Sequence, residues 1–145
     1  MRKIIVLLIC ISLIFCGCSK EETVDVKIEI DVTDILENYE MLDEALRDEK
    51  YVPKDGIILE LTDVTVNEGD GAVDVLKKVA REMKIHTDTS DGYVKGINHI
   101  YEKSCGAMSG WVYEVNGEAI MSEYFVSEGD TITWKYICDF SKMNF

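Results

Sequence analysis

The chain has 145 residues, with 28 Asp and Glu against 15 Lys and Arg and a formal net charge of −13. Such an excess of carboxylates repels phosphate backbones and anionic lipid headgroups, so nucleic acid is not an expected partner. The length suits one domain with a real core rather than two large ones, and the diffuse acidity reads as a solvated coat, not a site.

Met1, Arg2 and Lys3 make a basic start, and an apolar run over residues 4–15 follows. This is the pattern of a secretion signal. The run is shorter than the roughly 20 apolar residues that span a bilayer, and a polar segment comes next, so a retained transmembrane anchor is not expected. "LIFCGC" resembles a bacterial lipobox, with Gly17 as the small residue before the cut and Cys18 as the lipidated residue; Phe15 stands where Leu is usual. The alternative is plain secretion with Cys18 an ordinary thiol. The organisation read from this is a lipoprotein signal peptide over 1–17, a lipidated cysteine and tether over 18–23, and one domain over 24–145. Cleavage removes Arg2 and Lys3, taking the net charge from −13 to −15.

Cys10 and Cys16 leave with the signal and Cys18 takes the lipid, so Cys105 and Cys138 remain as a pair in an oxidising compartment. A disulfide is expected between them. It would restrict the unfolded chain by about 4 kcal/mol in the chain-entropy model. A catalytic dithiol is the competing reading, but the close Cys-x-x-Cys spacing is missing.

"TVDVKIEIDV" alternates strictly, with Val24, Val26, Ile28, Ile30 and Val32 on one face, and predicts a half-buried strand. Ile35, Leu36, Tyr39, Leu42 and Leu46 then recur at helical spacing, predicting a helix over 34–46 after a Thr33 or Asp34 cap. "IILELTDVTV" predicts a second strand, with Ile57, Leu59 and Leu61 on one face and a change of phase near Asp63. After the "NEGDG" turn, Val73, Leu76, Val79, Ala80 and Met83 form the stripe of the best helix, over 72–84. "HTDTSDGYVKGINHI" reads as a turn-rich loop leading to a short strand near 93–97. Its histidines, His86 and His99, lack ligand spacing and read as ordinary surface or half-buried residues. "DTSDG" lacks the full ligand series of a calcium loop.

From Gly110 onwards the chain is strand and turn. Trp111, Tyr113 and Val115 share a face, Asn116-Gly117 is a strong hairpin signal, and Ile132, Trp134, Tyr136 and Cys138 share a face of the last strand. Strand, strand, helix, then three or four strands is the order of an α+β, β-grasp-like mixed sheet packed on one principal helix, here with an extra helix inserted between the first two strands.

"GIILELTDVTVNEGDGAVDVLKKV", "YVKGINHIYEKSCGAMSGWVYEVNG" and "VSEGDTITWKYICD" resemble segments of a bacterial surface lipoprotein domain of unknown function, related to the C-terminal domain of transcobalamin and gastric intrinsic factor. The resemblance covers about residues 24–140. It implies a β-grasp-like fold at the cell surface; in the vertebrate relatives the domain helps to enclose cobalamin against a larger helical domain, which this chain lacks. Two departures stand out: "NGEAIMSEYF" lacks the family's proline and further cysteine, and Gly71 replaces the Thr or Ser that begins the main helix.

The expected function is a lipid-anchored, extracytoplasmic ligand-binding module supporting uptake of a cobalamin-like or other small molecule, with a transporter or surface protein as a further partner. Trp111, Tyr113, Tyr124, Trp134 and Tyr136 are the candidate ligand-contacting residues. Trp134 and Tyr136 weigh towards the core; Trp111 and Tyr124, beside turns, weigh towards exposure. The alternative is a non-catalytic structural or adaptor domain that docks a protein or glycan. Ser104, Ser109 and Ser122 have only His99 as a nearby base, so no catalytic set is expected, nor any metal or cofactor.

Overall fold

The computed structural model describes residues 21–143. The proposed signal and Cys18 lie outside the described residues. The elements are β1 (Thr23–Asp31), a short helix α1 (Thr33–Glu37), β2 (Ile57–Asn67), the main helix α2 (Ala72–Met83), β3 (Thr87–Ser90), β4 (Tyr93–Ile97), β5 (Ile100–Tyr101), β6 (Gly110–Val115), β7 (Glu118–Ile120) and β8 (Thr131–Ile137).

Five strands form a mixed sheet in the order β2-β1-β8-β6-β7, and β3-β4-β5 form a small second sheet. The centre is the parallel pair β1 and β8, flanked by the antiparallel hairpins β1-β2 and β6-β7. With α2 between the hairpins in sequence, this is the expected β-grasp arrangement. Register puts the apolar alternation of three strands on one face: Ile28 lies beside Ile132, Ile30 beside Trp134, Tyr113 beside Trp134, and Trp111 beside Tyr136. These side chains join Val75, Leu76 and Val79 of α2 in one core. The opposite face carries polar pairs such as Lys135 and Glu114, 2.8 Å apart.

Three expectations of extent and phase are corrected. The helix over 34–46 is only α1, followed by 3-10 turns at Tyr39–Met41 and Glu44–Leu46. Local polar groups take over the backbone there: the Asn38 side-chain amide donates to the Asp34 carbonyl, the Asp43 carboxylate accepts from the Ala45 N–H, and the Arg47 guanidinium donates to the carbonyls of Glu40 and Leu42. On β2 the phase changes earlier than Asp63. Two residues of β2, Glu60 and Leu61, oppose one of β1, Glu29, between the pairs Ile28–Thr62 and Ile30–Leu59, a bulge that turns Leu61 out to 51% exposure.

The buried stripe of α2 is Ala72, Val75, Leu76, Val79 and Ala80; Met83 faces solvent and Val73 is half-buried. Gly71 is the residue before the helix, and having no side chain it can supply only half of a capping box. The Asp74 carboxylate accepts from the Gly71 N–H at 3.1 Å, while Asp70 accepts from the Asn67 N–H in the preceding turn.

Candidate functional site

A cleft of about 580 Å³ opens between the first turns of α2, the β3-β4 turn, the aromatic end of β6 and β8, and residues 120–124. Its size is that of a small-molecule site. Four of the five candidate aromatics line it: Trp111, Tyr113, Tyr124 and Trp134. Adjacent register positions on β6 and β8 bring Tyr113 and Trp134 together, with ring centroids 4.8 Å apart and planes tilted by 34°.

Tyr136 does not belong to the cleft. It is fully buried, its ring meets Trp111 edge-on at 5.2 Å, and its hydroxyl bonds Ser109 Oγ and the Tyr101 carbonyl. Burial pushes its phenol up to about 12. Trp111, expected to be exposed, is also buried, because β6 turns it onto the core face and its Nε1–H donates to the Ile100 carbonyl at 2.8 Å. Tyr124, also expected to be exposed, is half-buried and packs against the core.

Trp134 has a distinctive feature. Its side chain is 3% exposed, and its indole Nε1–H, a donor with no accepting ability of its own, has no hydrogen-bond partner among the described residues. Leaving such a donor unpaired costs about 1–3 kcal/mol.

The wall formed by residues 121–126 is fixed by Asp130. This buried carboxylate accepts from the Asn116 side-chain amide at 2.9 Å, the Tyr124 hydroxyl at 2.9 Å and the Ser127 N–H at 2.8 Å. Desolvation would raise its pKa, but these donors hold it below the usual carboxylate range. The Tyr124 phenol is raised in turn, chiefly by its bond to Asp130. The Tyr124 carbonyl accepts the Ala72 N–H at 3.0 Å, tying the wall to the start of α2. On the other side Tyr113 donates to the Ser122 carbonyl, and burial with the Glu123 charge raises its phenol.

Sequence reasoning missed Val73 and Tyr93, which also line the cleft; the tyrosine that opens β4 was read only as the start of a strand. Asp130 is missed as well, because a lone Asp in "SEGD" carries no signal of burial. The cleft's charged lining is Asp74, Asp91 and Glu123 against Lys77, so it favours neutral or cationic molecules over anions.

Cys105 and Cys138 are adjacent, as expected, but they are free, buried thiols and not a disulfide. The reason is chemical: adjacency is supplied by the fold, whereas an S–S bond also requires loss of two electrons. The interaction between the two sulfurs lowers the pKa of Cys105 and raises that of Cys138, where burial adds to the rise. Among the serines considered for nucleophilic work, Ser109 is buried and spends its Oγ on the Gly106 carbonyl, the Cys105 N–H and Tyr136. "DTSDG" is the β3-β4 hairpin, with Asp91 and Gly92 at φ 49° and 78°. Among the described residues, no group of three or more His, Cys, Asp or Glu is placed to hold a metal ion.

Residues 69–137 match the family model of a domain of unknown function (DUF4430). The match takes in every element around the cleft and excludes β1 and β2. Comparison with curated proteins finds no match to the chain.

Proposed function

We propose that the chain is a non-catalytic, lipid-anchored, extracytoplasmic binding module whose aromatic cleft takes a planar small molecule, neutral or cationic, in support of uptake. The observation that carries the reading is a cleft of ligand size lined by Trp111, Tyr113, Tyr124 and Trp134, with the rings of Tyr113 and Trp134 packed together in its wall. A planar ligand would pack against the half-exposed faces of Tyr113 and Tyr124. The resemblance to the C-terminal domain of transcobalamin and gastric intrinsic factor makes a corrinoid one candidate. A whole corrinoid is larger than a cleft of about 580 Å³, so only part of it would enter.

The test is calorimetric titration of the full chain with corrinoids, neutral planar heteroaromatics and aromatic amines. One class should give saturable binding, weakened about tenfold in Tyr113→Leu, which keeps apolar bulk but removes the ring face. Silence across the panel, or equal binding by Tyr113→Leu, refutes the reading. The anchor is tested separately: Cys18→Ala should move the protein from the membrane fraction to the soluble fraction, and unchanged retention would overturn it.

A second reading, an adaptor that docks a protein or glycan, draws on the exposed apolar side chains around the cleft: Tyr93, Met121 and Phe125 are 54%, 73% and 58% exposed. Pull-down of a surface partner that is lost in Met121→Asp, together with silence of the small-molecule panel, would favour it.

A further inference from the structure

The chain contains two histidines, thirteen positions apart, and the fold brings them into contact. His86 immediately precedes β3, and His99 sits in the tight turn between β4 and β5. Both are exposed, and their ring centroids are 4.3 Å apart with planes at 70°. Tyr51 lies edge-on to His99 at 5.7 Å and Tyr101 edge-on to His86 at 6.3 Å, so an aromatic side chain flanks each imidazole.

The turn that delivers His99 is held from three directions. The Asn98 N–H donates to the His86 carbonyl at 2.7 Å, and the Asn98 side-chain amide donates to the carbonyls of Lys50 and Tyr51 at 3.1 and 2.9 Å. Asn98 and His99 both lie in the left-handed region, at φ 50° and 65°. In two-residue hairpin turns of this kind Asn-Gly is favoured, because glycine takes positive φ without strain. A histidine there costs conformational energy, and what it adds is an imidazole set against the other one.

We infer that His86 and His99 form a two-imidazole surface site for a borderline divalent transition-metal cation of the Zn2+ or Ni2+ type. Neutral imidazole is a favoured ligand for these ions. Two nitrogens, each about 2.0–2.1 Å from a tetrahedral ion, place their ring centroids roughly 5 Å apart, so the two exposed rings would separate by about 1 Å and turn out of their edge-on packing to bring one nitrogen of each to the ion. Water or a ligand group would fill the remaining positions. The net charge of −13 raises the local concentration of any cation near the surface.

Ni2+ is a suitable probe, used on the full chain without a histidine tag and in a buffer that does not chelate. Calorimetry should give one saturable site, and the imidazole proton resonances of both histidines should broaden with occupancy. His86→Gln and His99→Gly should each weaken binding at least tenfold. Glycine suits the turn geometry at position 99, so that variant remains folded while losing the ligand. A Ni2+-dependent rise in Tm should be present in the natural chain and absent from both variants. An isotherm that never saturates, or equal affinity in the natural chain and both variants, would overturn the inference.

Discussion

Asp130 illustrates how one residue can hold a wall of the cleft. Its carboxylate gathers Asn116, Tyr124 and Ser127, so removing it strands three donors at once. Asp130→Ala is expected to cost about 2–3 kcal/mol at neutral pH, measured by urea unfolding. The sign of the pH dependence follows from the lowered folded-state pKa. The stabilisation is fully present above the ordinary carboxylate range and is lost as pH falls through the lowered value. The difference between the natural chain and Asp130→Ala should therefore shrink in strong acid; a gap that stayed constant into strong acid would contradict the assignment. Trp111 and Trp134 teach a related lesson. Both lie on the core face, as expected for Trp134 but not for Trp111; a carbonyl meets the indole N–H of Trp111 and, among the described residues, none meets that of Trp134. Sequence alternation reports a side chain's face and is silent about its partners.

Among the elements, legibility followed the strength of the local pattern. The alternation of residues 23–32 and 131–138 and the Asn116-Gly117 turn, at φ 54° and 84°, placed β1, β8 and the β6-β7 hairpin within a residue or two. Helical spacing over 34–46 misled, because Asp34, Asn38 and Asp43 offer the backbone competing hydrogen bonds, and because the Asp43 N–H is used by the distant Ser104 carbonyl. β3 was read as part of a loop. Its sequence, TDTS, has no apolar residue, and its strand form comes from pairing with β4. The bulge in β2 was visible as a change of phase, but its position depended on the register with β1.

At the scale of the whole molecule, the β-grasp path brings Cys105 against Cys138, although they are far apart in the chain. Exchange with oxidised glutathione would form the Cys105–Cys138 bond and release two glutathione thiols, the lower pKa of Cys105 favouring it as the attacking sulfur. The protein recovered from an oxidising compartment is expected to be lighter by two hydrogens in intact mass, and to lose about 4 kcal/mol of stability on reduction. Two free thiols in that material would exclude the bridge.

Composition and local pattern alone determined the acidic character, the order of strand and helix, the hairpin and the face on which the aromatics lie. Each of these depends on neighbours in sequence or on summed charge. Tertiary structure alone decided that Tyr136 stays out of the cleft while Val73 and Tyr93 line it, that Trp134 keeps an unpaired donor among the described residues, and that His86 meets His99. These facts depend on which distant backbone groups arrive at a side chain, and spacing along the chain does not encode that.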